Sequence, residues 1–144
     1  VSDKVTVISN LHGRTTDIRG RYTIAGPGFE IVSDGSLRSG GPGEEASSLD
    51  LLVASLVSCA LNAFRHDFVE SGQPERQVEI FARIERKAEG DYLGTLVMEC
   101  FIDGVDHVTA DELVAEYKKR CRIYNALKES LPVVFVPHTS GSLG

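Results

Sequence analysis

SSLDLLVASLVSCALNAFRHDFVE, Ser47–Glu70, is the longest stretch of this 144-residue chain with helical apolar spacing. Val53, Ala54, Leu56, Val57, Ala60, Leu61 and Phe64 recur at intervals of three and four, which predicts a helix rather than a strand. Its first half is apolar nearly all round, as expected of a helix buried on most faces. Ser47 or Ser48 can cap the N-terminus, with Asp50 in the first turn beside the positive end of the helix dipole. Asn62, Arg65, His66, Asp67 and Glu70 make the second half amphipathic, and Gly72 and Pro74 end it. Apart from Asp50, the charge-free run spans Leu49 to Phe64, short of the roughly 20 apolar residues a bilayer requires. A core helix is expected.

Working outward, Lys4–Ser9 alternates and is β-branched, and reads as a strand followed by a turn at Asn10–Gly13. Arg14–Ile24, interrupted at Gly20, and Phe29–Ser33 read as further strands of a hairpin-rich sheet. The glycine-rich segment Ser39–Gly43 leads into the long helix; it contains neither GxGxxG nor a GK[ST] ending, so a flexible connecting loop is expected rather than a phosphate site. Beyond the helix, Gln77–Arg86 and Tyr92–Asp103 alternate cleanly about a turn at Ala88–Asp91, giving an antiparallel hairpin with one face on the core. Cys100 falls on that core face. Thr109 with Glu112 suggests a capped helix through Arg120, with Leu113, Val114 and Tyr117 as its apolar stripe. Cys121, a short helical run Arg122–Glu129, a strand Pro132–Val136 and a loose tail from His138 complete the chain. The expected fold is α+β, one domain over residues 1–144, with antiparallel sheets packed on a long central helix.

A 42% hydrophobic content is ample for a core of ordinary size. The net charge of −6 argues against nucleic acid and anionic membranes as partners. VSDKVTVISN lacks a basic region followed by an apolar run, so no secretory leader is expected. Three widely spaced cysteines fit a cytoplasmic protein better than a disulfide scaffold, and no CxxC or HxxxH spacing suggests zinc.

Cys59 and Cys121 each admit two readings, as buried structural thiols or as a redox pair. Cys59 lies among small residues (Ala54, Ser55, Ser58, Ala60) that leave room beside its sulfur. Cys121 falls between two helical segments, where amides of the second can lower its pKa. Such a pair suits a two-cysteine peroxidase, one thiolate being oxidised to a sulfenic acid and the other closing a disulfide. His66 is seven residues from Cys59, roughly 10 Å along the helix and too far to act on it directly. His12, in a turn, and His138, in the tail, have no visible nucleophile partner.

Gly43–Phe64, GEEASSLDLLVASLVSCALNAF, resembles the GPxPxELLLAALxxC-like helix of the OsmC/Ohr family, the osmotically inducible and organic hydroperoxide resistance proteins. Cys121–Phe135, CRIYNALKESLPVVF, is similar to the family's second motif, CPxSNAL followed by a strand. The resemblance implies an intertwined homodimer with its sites at the subunit interface, and reduction of organic hydroperoxides. Cys59 is then the peroxidatic cysteine and Cys121 the resolving one. Electrons come from a lipoylated protein or another dithiol, with no metal, flavin or other cofactor. Arg38 is the arginine in place to hold the thiolate, with Arg14 and Arg19 as rivals, and Asp50 is the acid in register to orient it. The chain departs from the pattern at Ser48 and Arg122, where the family has prolines, and at Asp50, where it has glutamate. Two other readings on the same fold are a non-catalytic dimer binding a small apolar ligand and a redox sensor.

Overall fold

A computed structural model of the chain describes residues 3–74, 76–89 and 93–139. Contacts divide the chain into two compact units, Val1–Leu52 and Val53–Gly144.

In the first unit, β1 (His12–Thr15), β2 (Arg21–Gly26) and β3 (Phe29–Asp34) form an antiparallel sheet in that order. Gly28, at φ +81°, supplies the left-handed residue that the tight β2–β3 turn requires. The strand expected at Lys4–Ser9 does not form. Its alternation gives the right propensity, but the segment has no ladder partner among the described residues, and Val5, Val7 and Ile8 stand 84%, 72% and 90% exposed.

The loop after β3 is tied down rather than flexible. A 3-10 turn, Leu37–Ser39, is capped by Ser36, and the amides of Gly35, Gly41 and Gly43 donate to Gly20, Ser36 and Gly35 carbonyls at 2.8, 2.9 and 3.1 Å. A Cβ on Gly41 would run into the Gly35 carbonyl, so this approach is open to glycine alone. Ser33 Oγ and the Asp34 amide both donate to Ala46, at 2.8 and 3.0 Å, fixing the chain as it enters the long helix.

That helix, α1, is Ser48–Glu70. Ser47 Oγ accepts the Asp50 amide at 3.1 Å, and Asp50 Oδ2 accepts the Ser47 amide at 2.9 Å, a reciprocal cap on two otherwise orphaned donors.

In the second unit, α1 buries one stripe: Leu56, Ala60, Phe64 and Phe68, spaced four residues apart. Val53, Val57 and Leu61 are only half-buried, and Ala54 is exposed. By length and composition Ser48–Phe68 could cross a membrane, further than the charge-free run implied, although core helices of soluble proteins meet the same test. β4 (Val78–Glu85) and β5 (Thr95–Ile102) form the expected antiparallel hairpin. The expected turn beyond Glu89 and the start of the return strand at Tyr92 lie outside the described residues.

β6 (Val133–Thr139) joins β5 in parallel, so this sheet is mixed rather than wholly antiparallel. The reason is the connection: α2 (His107–Arg120) and α3 (Arg122–Leu127) make the long crossover that a parallel pair needs. α2 starts two residues before Thr109, because Asp106 is its cap and accepts the Thr109 amide at 2.8 Å. β6 also runs past Val136. His138 therefore sits in a strand, stacked on Phe101 at 4.4 Å with Nε2 3.2 Å from Glu99, and not in a loose tail. Leu96, Met98, Cys100 and Ile102 of β5 and Ala110, Leu113, Val114 and Tyr117 of α2 are buried.

Candidate redox site

Cys121 ends α2 and begins α3. Its amide donates to the Tyr117 carbonyl at 2.9 Å, closing the last turn of α2, while its Sγ accepts the Tyr124 amide at 3.3 Å as the cap of α3. Asn125 fixes this corner by donating from its side chain to the carbonyls of Lys118 and Cys121, both at 2.9 Å. The residue is thus bonded to both helices, through its amide to α2 and its sulfur to α3, and is 5% exposed.

Cys59 projects from α1, half-buried, beside exposed Ser58. The two cysteines, 62 residues apart in sequence, are both free thiols and lie near enough for each to shift the other's ionisation. Burial raises the Cys59 pKa, and donating to Cys121 raises it further. Burial also pushes Cys121 upward, but donors from Cys59, the Tyr124 amide, the Tyr117 hydroxyl and the Ile123 amide outweigh it and bring its pKa below the usual thiol value. The amides of the second helical segment act on Cys121 as its sequence position suggested. The buried Cys100 thiol is pushed up to about 12 by desolvation alone, as expected of a structural cysteine.

Tyr117 completes the cluster. Its ring packs against Phe64, Tyr124 and Phe135 at centroid distances of 6.2, 5.7 and 5.3 Å, and its hydroxyl reaches the Leu56 carbonyl of α1 at 3.4 Å. Sequence reading found the residue on the apolar stripe and missed its polar end. The available signal was spacing: Tyr117 precedes Cys121 by one helical turn.

Arg38, Arg14, Arg19 and Asp50 all belong to the first unit. Arg38 is exposed on the 3-10 turn, Arg14 is exposed on β1, and Arg19 is exposed before β2. Asp50 is engaged in the α1 cap. The arginine that this unit does hold is Arg21, which sequence reading passed over. Its Nε and Nη2 donate to Asp34 at 2.8 and 2.9 Å, while Asp34 Oδ2 also accepts the Glu44 and Glu45 amides at 3.0 and 2.9 Å. Those charge-assisted bonds hold the Asp34 carboxyl well below the usual carboxylate range. Arg21 and Asp34 are register partners across β2 and β3, so a correct strand pairing would have revealed them. His66 is exposed beside Asp67 and Glu70, at 3.6 and 3.8 Å, and His12 is exposed on β1.

The fold thus brings together a free cysteine on the long helix and another at a helix junction. The family model for OsmC-like protein matches residues 41–135, and the chain belongs to the OsmC family, whose members are cofactor-free, cysteine-based proteins. No curated protein matches the sequence. Solved structures share the fold at low identity. An OsmC-like protein from Mycoplasma pneumoniae is 14% identical with a TM-score of 0.70, over 96% of this chain and 99% of that one. An organic hydroperoxide resistance protein from Elizabethkingia anophelis is 15% identical with a TM-score of 0.72, over 95% and 99%. The organic hydroperoxide resistance protein OhrB of Bacillus subtilis is 15% identical with a TM-score of 0.66, over 92% and 98%. Among the described residues, no cluster of His, Cys, Asp and Glu is arranged to hold a metal ion.

Proposed function

We propose that this protein is a cytoplasmic thiol peroxidase that reduces organic hydroperoxides through Cys59 and Cys121. What supports the reading is the nearness of two free cysteines, Cys59 half-buried on α1 and Cys121 buried at the α2–α3 junction, which shift each other's ionisation. The Cys59 sulfur attacks the distal peroxide oxygen and the O–O bond breaks. The alcohol leaves with the thiol proton, and Cys59 becomes a sulfenic acid. The Cys121 thiolate then attacks the Cys59 sulfur, hydroxide leaves and is protonated to water, and the disulfide closes. An external dithiol, such as a lipoylated protein, restores both thiols. Arg38, from the same or a second protomer, supports the Cys59 thiolate, with Asp50 as the acid at the start of the same helix.

The working form is an intertwined homodimer. The half-buried apolar face of α1, with Val53, Val57 and Leu61, is more than one protomer covers, and a second α1 is its natural cover. The test is peroxide consumption with cumene hydroperoxide and excess dithiol. Wild type should turn over. Cys59→Ser should not, and Cys121→Ser should consume about one equivalent before stalling. Turnover by Cys59→Ser at the wild-type rate would overturn the assignment.

A further inference from the structure

We propose that Asn125 is a positioning residue for Cys121: it locks the corner between α2 and α3 from which the Cys121 sulfur is presented to Cys59. The pairing with Cys59 rests on the peroxidase reading; the lock on the corner rests on hydrogen bonds alone.

Cys121 is a single extended residue, φ −73° and ψ 112°, between two helices. Changes in those two angles swing α3 and redirect the Cα–Cβ bond that carries the sulfur. The sulfur itself is a poor lock. It caps α3 by accepting the Tyr124 amide at 3.3 Å, a long bond to a weak acceptor. It is also the atom that reacts, so a corner held only by the sulfur loosens as the disulfide closes. Asn125 supplies a hold that spares it. The side-chain nitrogen carries two hydrogens, and both are used, on the carbonyls of Lys118 and Cys121 at 2.9 Å each. The Lys118 carbonyl is among those that the end of α2 leaves without an intrahelical partner. The Cys121 carbonyl also takes the Asn125 backbone amide, at 3.0 Å, so Asn125 holds it twice. One residue ties together the last turn of α2, the corner and the first turn of α3.

Composition points the same way. Asparagine is a poor helix former, and α3 has only six residues over which to offset it. Asn125 is exposed, so it fills no space in the core. On helix propensity alone, leucine suits the position better; the two side-chain bonds are what asparagine adds. They bear on the redox chemistry because closing a disulfide requires the backbone that carries each sulfur to be confined. Where that confinement exists beforehand, the bond does not have to supply it. For the backbone of one residue the difference is about tenfold in the closing equilibrium.

The test is Asn125→Leu, which keeps the size, raises the helix propensity and removes both donors. Wild type and variant are equilibrated with mixtures of reduced and oxidised glutathione. Each protein disulfide formed passes two electrons and two protons to one glutathione disulfide, which becomes two thiols. Acid quenching, alkylation and peptide mapping then give the fraction with Cys59 joined to Cys121. Asn125→Leu should hold that disulfide about tenfold less strongly than wild type, a reduction potential about 30 mV higher. An equal or lower potential overturns the proposal, because a role confined to helix stability has leucine doing as well or better. Wild type gives a second measurement that needs no substitution. With 15N-labelled asparagine, both Asn125 side-chain hydrogens should exchange with solvent about tenfold more slowly than those of a solvated asparagine, in the reduced and in the disulfide form. Unprotected hydrogens in either form overturn it. So does a wild type that forms no Cys59–Cys121 disulfide at any glutathione ratio. If the disulfide forms at equilibrium while wild type consumes no peroxide, the peroxidase reading fails, and the potential still decides the role of Asn125.

Discussion

Replacing Cys100 by serine should cost about 1–3 kcal/mol of stability while leaving Cys59–Cys121 disulfide formation intact. Cys100 lies in the middle of β5, opposite Ile80 on β4 and Pro137 on β6, and is 0% exposed. Its sulfur has the Met98 carbonyl as a distant partner at 3.7 Å, and Pro137 brings no amide hydrogen to this row. A thiol tolerates that setting as a small apolar group, whereas a hydroxyl loses water there without a good partner. Cys100→Ala removes the sulfur and adds no polar atom, so it should cost only the small cavity, about 1 kcal/mol. Serine should therefore be the more damaging replacement. With a urea slope of about 2 kcal/mol per molar, the serine midpoint should fall by about 1 M and the alanine midpoint by about half that. Urea unfolding followed by circular dichroism measures both. Serine as stable as wild type would refute the account of a dry site without a close partner, and a folded Cys100→Ser protein unable to form the disulfide would mean that the redox pair is wrongly assigned.

The proposed dimer should persist at micromolar concentration in sedimentation equilibrium, and Val57→Lys, which buries an unpaired ammonium at several kcal/mol, should abolish it. Asp34 has a folded pKa below its unfolded value, so its contribution is fully present above about pH 4 and is lost as the pH falls further; thermal melts from pH 5 to pH 3 should show this loss, and Asp34→Asn should reduce it. Arg38→Ala should slow the peroxide step and leave reduction of the disulfide near the wild-type rate, whereas unchanged peroxide kinetics would remove Arg38 from the site.

Much of this fold can be read from side-chain spacing. Helix α1 differs from its sequence boundaries by one residue, because the apolar period, the Ser47 cap and the Gly72–Pro74 stop all agree. The β4–β5 hairpin follows from strict alternation. What escaped was set by neighbours rather than by local pattern. Lys4–Ser9 has the composition of a strand but joins no sheet among the described residues, and β6 takes its direction from the crossover that precedes it. Small neighbours, a helix junction and two motifs singled out Cys59 and Cys121, which the fold brings near one another. The polar contacts of Arg21 and Tyr117 were not legible, since only strand register or helix packing brings them about: Asp34 for one, the Leu56 carbonyl for the other.

Intact-mass analysis after one equivalent of cumene hydroperoxide tests the central claim most directly. The reduced protein should lose the mass of two hydrogens, and peptide mapping should find Cys59 joined to Cys121 with Cys100 still free. Unchanged mass, with Cys59 and Cys121 both still open to alkylation, would contradict it.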